Sequence, residues 1–294
     1  MSRLKIADNF SRYAHLYDRY ADVQMKAAFE LAGSIKNDNF CKILEIGCGT
    51  GNYTLMLRNE FEGARIKALD ISDRMIGVAR DKLKNKDIEF IVADAENIIL
   101  DEDFDLITSN ACFQWFDNLD KVLGEYSKLL QKRGIICFSI FGPQTLGELN
   151  TALMCLFEEE RIDSAHFCDR DSLEKILKDN FDSVKIDEIR YKETFNSLRE
   201  LLEKIKYSGI RGNGLSNKVY PPSQKTIALV VNERDESAGS GDVSGCLSAC
   251  RQGQAPRVFH FTRGLLMELE KIYLDRFKEI CATYQVFFCQ GEKR

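Results

Sequence analysis

Seven consecutive residues, Glu45-Ile46-Gly47-Cys48-Gly49-Thr50-Gly51, carry the densest chemical signal in this chain. Glycine at alternate positions lets the backbone turn tightly and lets a ligand approach amide N–H groups at a helix start. A nicotinamide fingerprint needs glycine at 47, 49 and 52, whereas residue 52 is Asn and the third glycine falls at 51. Polar residues recur where three further apolar runs end: Asp70, then Asp94 followed by Ala95, then Asn110. A carboxylate offers two acceptor oxygens, so Asp70 at a strand end suits the two hydroxyls of a ribose. No Ser/His/Asp or Cys/His constellation accompanies these residues. His15, His166 and His260 are isolated in sequence and are read as structural. Cys246, Cys250 and His260 match no zinc module and lack a fourth ligand, so no metal is expected.

The runs around these positions alternate between strand and helix. Ile6, Phe10, Tyr13 and Tyr17 recur at helical spacing and predict an amphipathic helix over residues 5–20. Strands are expected at 41–46, 65–70, 88–94, 104–110 and 134–141. Ser72 is placed as the cap of a helix carrying Met75, Ile76, Ala79 and Leu83. A helix from Leu119 is expected to close in the cationic turn Lys132-Arg133-Gly134. Beyond Gly142 the pattern predicts helices near 145–158, 172–177 and 197–206, and a strand at 183–190. A helix capped by Thr262 and a last strand at 282–288 follow. The polar, Ser- and Gly-rich stretch 221–258 reads as a mobile insert. Alternation of this kind implies right-handed crossovers, hence a Rossmann-like, doubly wound, mostly parallel α/β sheet with ligands at the carboxyl ends of its strands.

The 294 residues are 44% hydrophobic and 30% charged, a globular composition able to bury a core. Lys plus Arg number 41 against 46 Asp plus Glu, so the net charge of -5 offers no overall field for nucleic acid or anionic lipid. No signal-peptide core and no run of about 18 apolar residues is evident, so a cytoplasmic location and no membrane partner are expected. The ten Cys are scattered, several in apolar stretches (Cys41, Cys137, Cys155, Cys289), and are read as reduced core thiols.

The G-x-G-x-G loop with Glu45 two residues before it resembles the nucleotide loop of S-adenosylmethionine-dependent methyltransferases. That resemblance implies Glu45, Gly47, Gly49 and Gly51 as donor-binding residues, with Asp70 on the ribose and Ile71 and Met75 around the adenine. It implies Asp94 and Ala95 at the adenine amino group and Asn110 beside the methionine moiety. Two flanking segments are similar to those of the malonyl-acyl-carrier-protein O-methyltransferases of biotin synthesis: Ile6 to Tyr17 with Ala21 to Gln24, and Ser109 to Leu119 with its Gln114-Trp115 pair. Phe141 to Leu149, Lys206 to Gly214 and the ending segments Phe261 to Phe277 and Ala282 to Phe288 are similar to further parts of that family. The resemblance spans nearly the whole chain except 221–258. It implies a single methyltransferase domain over 1–294, with an N-terminal helical lid segment at 1–38, a donor-binding core at 39–142 and a lid region at 195–260.

The implied reaction is methyl transfer to the free carboxylate of a malonyl thioester on acyl carrier protein. That carboxylate is already anionic near neutral pH, so no general base is needed. Tyr17, Gln114, Trp115 and Arg211 are the candidates for positioning it. Lys204, Lys206, Arg211, Lys218 and Arg263 are the candidates for a basic patch facing an acidic carrier. Methylation of another small carboxylic acid or an aromatic metabolite, or non-catalytic donor binding, remain open at this point.

Overall fold

A computed structural model describes residues 3–35, 40–157, 160–209, 225–226, 228–230, 258–260 and 263–293. Two helices lead, α1 (Arg3–Tyr20) and α2 (Asp22–Ser34), the first kinked at Tyr13, whose φ of -117° and ψ of 16° leave the helical region. Then come β1 (Lys42–Ile46), α3 (Asn52–Glu60), β2 (Arg65–Asp70), α4 (Asp73–Lys82), β3 (Glu89–Val92) and β4 (Phe104–Asn110). The chain continues through α5 (Leu119–Leu129), β5 (Leu130–Phe141), α6 (Gly147–Leu156), α7 (Arg170–Asn180), β6 (Ser183–Phe195) and α8 (Leu198–Tyr207). It closes with α9 (Arg263–Phe277) and β7 (Ile280–Glu292).

These strands form one seven-stranded sheet in the order β3-β2-β1-β4-β5-β7-β6. The first five are parallel; β7 runs antiparallel between β5 and β6. Central parallel strands are covered on both faces, which is why Ile43, Leu44, Ile46, Leu106 and Ile107 form near-continuous apolar runs and are fully buried. On one face α2, α3, α6, α8 and α9 pack through Leu31, Leu57, Leu153, Leu201 and Tyr273. On the other, α5 and α7 pack through Leu123, Tyr126, Leu173 and Leu177. Helix starts follow their capping residues: Ser72, Asn118, Asp169 and Ser197 each accept a backbone N–H from three residues on.

Several expected boundaries move. Helix α5 does not run to Gly134, because Leu130 is already extended and starts β5. Gly134 instead lies in the strand, where an added Cβ would stand 2.9 Å from Gln131 O and 3.1 Å from Phe104 O. Strand β3 stops at Val92, short of Asp94. Helix α6 begins at Gly147, since Leu146 before it holds a left-handed φ of 59°. Cys137 and Cys289 are buried as expected, whereas Cys41 and Cys155 are exposed. The stretch 221–258 is not without regular structure: Lys225–Thr226 pairs with Glu160–Arg161, and Ala228–Val230 with Val258–His260. Thr262, Cys246 and Cys250 lie outside the described residues. Among the described residues no helix is long and apolar enough to cross a membrane.

Candidate active site

Where β1, β2 and β4 end, the sheet opens into a cleft of about 730 Å³ walled by Gly47, Gly49, Asp70, Ile71, Met75, Asp94, Ala95 and Asn110. The connections that follow β1, β2, β3 and β4 thus converge on one space. The loop after β1 is fixed by the amides of Gly47 and Cys48, which both donate to Leu69 O, at 2.8 and 3.0 Å. Gly49 has a φ of +55°, and a Cβ built on it meets no atom within 4 Å, so this face of the loop looks into open space. Asp70 joins two loops: one carboxylate oxygen accepts Gly49 N at 2.9 Å and the other accepts Ser72 N at 2.8 Å. Burial raises the Asp70 carboxyl above its ordinary range, and those amides pull it back. Asp94 accepts Glu96 N at 3.0 Å and Asn97 Nδ2 at 2.7 Å, while the Tyr126 hydroxyl donates to Ala95 O at 2.6 Å. Asn110 ends β4 with its side chain already engaged, donating to Gln24 O at 3.0 Å and accepting from Ser139 Oγ at 2.7 Å.

Helix α1 supplies one wall through Phe10 and Tyr17, and the turn after β4 supplies Trp115. Phe10 stands between them, with its ring centroid 6.2 Å from Tyr17 and 6.4 Å from Trp115; Trp115 meets Phe167 edge-on at 5.3 Å. Tyr17 is half-buried, and burial followed by the charge of Asp70 raises its phenol, so it stands as a neutral hydroxyl. A polar clasp ties α1 to the glycine loop. Asp18 accepts from Thr50 Oγ1 at 2.5 Å, from Asn52 Nδ2 at 2.9 Å and from Lys82 Nζ at 2.7 Å. Phe10, Cys112, Phe116 and this clasp were not singled out by sequence reasoning. Phe10 shares the helical stripe of Tyr17, which was the available signal; Asp18 carries none, because its partners are fixed by tertiary placement.

Among the described residues, three expected in the site, Glu45, Gly51 and Gln114, are not part of the cleft lining. Gly51 caps α3 with a φ of +82°, and its Cβ would press on Leu83 Cδ1 at 3.0 Å and Ala79 Cβ at 3.1 Å. Close packing on α4 requires that glycine. The Gln114 Nε2 donates to Ala111 O at 2.7 Å, behind a residue that itself lines the cleft. Arg211 lies outside the described residues, as does Lys218, and so does the Arg263 side chain. Lys204 does not belong to a surface patch: it is buried and paired with Asp22 at 2.6 Å and Glu193 at 2.7 Å. Lys206 lies over the rings of Tyr13 and Tyr207, at 5.6 and 4.8 Å from their centroids.

Glu45 sits behind the loop, only 1% exposed, and burial pushes its carboxyl up to about 8. Unfolded, the same group titrates near ~4.3. Between those values the folded chain holds a proton that the unfolded chain has lost, so stability falls as pH rises through this window. Glu45→Gln removes the titration. The stability of Glu45→Gln relative to the parent should therefore grow from pH 5 to pH 8, by roughly 3–4 kcal/mol, in denaturant melts at each pH. Parallel curves would show that Glu45 does not hold a proton in the fold.

A methyltransferase-domain family model matches residues 44–138, the span from β1 to β5. A curated relative from Bacillus anthracis, malonyl-[acyl-carrier protein] O-methyltransferase, is 32% identical over 82% of this chain and 93% of its own length. Malonyl-[acyl-carrier protein] O-methyltransferase 1 of Ilyobacter polytropus is 37% identical over 80% of this chain and 88% of its own. In fold, the YcgJ protein of Bacillus subtilis is similar with a TM-score of 0.57, at 11% identity, over 92% of this chain and 98% of that one. With its glycine loop, Asp70 at the end of β2 and relatives matched over most of their length, this chain belongs to the malonyl-acyl-carrier-protein O-methyltransferase family.

Proposed function

We propose that the cleft receives S-adenosylmethionine and that the chain transfers its methyl group to the free carboxylate of a malonyl thioester carried by acyl carrier protein, giving the methyl ester that begins biotin synthesis. The relatives' shared name supports the acceptor and weighs against another small acid, an aromatic metabolite or mere donor binding. One observation carries the donor assignment: Gly49 turns an open face into the cleft while its amide is held by Asp70. A side chain at 49 would occupy space that a ligand needs.

The bound donor supplies an electrophilic methyl on a sulfonium. The protein's own part is to bind, orient and exclude water. Gly47 and Gly49 let a ligand approach the backbone, Asp70 accepts ribose hydroxyls, and Ile71 and Met75 flank the base. Asp94 and the Ala95 amide read the adenine edge, and Asn110 borders the methionine end. Tyr17 and Trp115, with Phe10 between them, form an aromatic wall that keeps water from the reacting carboxylate and orients it. Tyr17 retains its proton, so it serves as a hydrogen-bond donor and not as a base. Helix α1 and the end of α8 act as the lid, held shut by the Asp18 clasp. Labelled donor offered with malonyl-carrier, malonyl-coenzyme A and free malonate side by side tests this reading. Label in the methyl ester of malonyl-carrier supports it, and no transfer to any malonyl acceptor overturns it.

Docking of an acidic carrier on a chain of net charge -5 requires a local cationic surface. With Lys204 spent on Asp22 and Glu193, that surface rests on Lys206, Arg211, Lys218 and Arg263. Raising salt from about 0.05 to 0.5 M shortens the Debye length from roughly 14 to 4 Å, and kcat/KM for malonyl-carrier should fall severalfold. The KM for the donor should hold nearly constant. Equal salt sensitivity for malonyl-coenzyme A would remove the carrier-specific surface.

A further inference from the structure

Two residues past the end of α8, Gly209 holds a left-handed φ of +76° and meets the ring of Phe10 on α1. A Cβ built on it would stand 2.2 Å from Phe10 Cε1, 2.7 Å from Cζ and 3.1 Å from Cδ1, far inside contact distance. One side would have to yield. The turn is the firmer of the two: Ser208 is 1% exposed, its amide donates to Lys204 O at 2.9 Å, and its carbonyl accepts Gln24 Nε2 from α2 at 3.0 Å. Tyr207 before it meets Tyr13 edge-on at 5.1 Å. The ring is therefore the part that moves. Phe10 lines the donor cleft, and with Tyr17 and Met75 it also lines a chamber of about 250 Å³ against the end of α8. Gly209 borders the chamber and not the cleft, so the ring is a partition between the two spaces. Pushed from the chamber side it shifts toward the cleft, where Tyr17 and Trp115 stand 6.2 and 6.4 Å from its centroid.

We propose that Gly209 is a positioning residue for the methyl transfer: having no side chain, it lets Phe10 stand back from the cleft and leaves room for the malonyl carboxylate against the aromatic wall. The inference rests on the acceptor reading above. With a Cβ at 209 the ring must retreat by roughly 1 Å before carbon atoms regain ordinary contact. A displacement of that size at the reacting geometry costs up to about 100-fold in rate. The groups assigned to the donor are held by other bonds: those of Asp70 to Gly49 and Ser72, and of Asp94 to Glu96 and Asn97, involve neither Phe10 nor Gly209. The effect of position 209 therefore falls on the acceptor step, and it is transmitted through one ring.

Substitutions in the full chain, with malonyl-carrier as acceptor, separate this role from a structural one. Gly209→Ala should lower kcat about 10- to 100-fold and leave the Kd for S-adenosylhomocysteine within about threefold. An unchanged kcat, or a loss of affinity as large as the loss of kcat, overturns the proposal. Gly209→Asn tells the ring from the backbone, because Asn enters the left-handed region more readily than Ala yet carries a larger side chain. It should lose at least as much kcat as Gly209→Ala. A clear recovery with Asn would assign the glycine to backbone strain alone and overturn the proposal. Phe10→Leu lacks the ring atoms that the Cβ would meet at 2.2 and 2.7 Å. It lowers turnover by itself, since Phe10 belongs to the wall, but adding Gly209→Ala to it should cost no more than about twofold further. Losses that simply multiply would overturn the proposal. If Gly209→Ala alone fails to fold, the double substitution should recover both a melting transition and the turnover of Phe10→Leu, and a double variant that also fails to fold counts against the ring contact. If the parent itself transfers no methyl to malonyl-carrier, the acceptor reading fails, a result distinct from all of these.

Discussion

Asp70→Ala should lower affinity for S-adenosylmethionine by about 100-fold or more while leaving a folded protein. Two losses combine. The first is direct: a carboxylate that accepts ribose hydroxyls contributes about 1.5–3 kcal/mol for each charge-assisted bond. The second is indirect, since Asp70 also holds Gly49 N at 2.9 Å and Ser72 N at 2.8 Å, so its removal frees the glycine loop from the start of α4. A loop released in this way must be ordered again on binding, which adds to the cost. Ser72 keeps its own capping bond to Met75 N, and the sheet beneath is untouched, so the fold should survive. Asp70→Asn is the sharper control, because an amide retains one acceptor and cannot serve both loop amides. It should fall between the parent and Asp70→Ala. Calorimetry reads the affinity, and melting with excess donor reads the same quantity by linkage: the parent should gain several degrees, the variant almost none. Unchanged affinity in folded Asp70→Ala would remove Asp70 from the donor site.

What the sequence disclosed followed from period and spacing. Buried parallel strands are short apolar runs, so β1, β2 and β4 were placed within a residue of their observed limits, and the polar residues that end or follow the strands came with them. Tyr17 and Trp115 were found because a resemblance drew attention to their segments, and both line the cleft. Other features were hidden for physical reasons. A glycine in a G-x-G-x-G loop can face a ligand, as Gly49 does, or a neighbouring helix, as Gly51 does, and nothing local distinguishes the two. Lys204 reads as one more helix-surface cation until β6 and α2 bring Glu193 and Asp22 to it. The stop of α5 was misplaced for a similar reason. Lys132-Arg133-Gly134 has the composition of a helix end, but pairing with β4 draws Leu130 into the strand, and tertiary pairing overrides local preference.

Gly47→Ala should be the most damaging single methyl group that can be added to the loop, and a second substitution should show why. Its φ of +71° disfavours any side chain, and a Cβ there would stand 2.3 Å from Cys112 Sγ and 2.6 Å from Cys112 Cβ. Neither side can yield easily. Gly47 is pinned by its bond to Leu69 O, and Cys112 follows Ala111, a residue with its own positive φ of 53° whose amide donates to Ser139 O. Left-handed backbone costs about 1 kcal/mol for alanine, and overpacking adds about 1–3 kcal/mol. Gly47→Ala should therefore lose roughly 2–4 kcal/mol in denaturant melts. Gly49→Ala, whose added methyl meets nothing, should lose only the backbone part, about 1 kcal/mol, yet bind the donor poorly because the methyl enters the cleft. Cys112→Ala removes the sulfur but leaves the carbon at 2.6 Å, still far inside contact distance, so it should relieve Gly47→Ala only in part, whereas Cys112→Gly should recover most of the overpacking part. The double-mutant cycle then gives a coupling of about 1–3 kcal/mol between positions 47 and 112 and none between 49 and 112. Additive losses at 47 and 112 would mean that the backbone conformation alone, and not the cysteine, demands glycine at the first position of the loop.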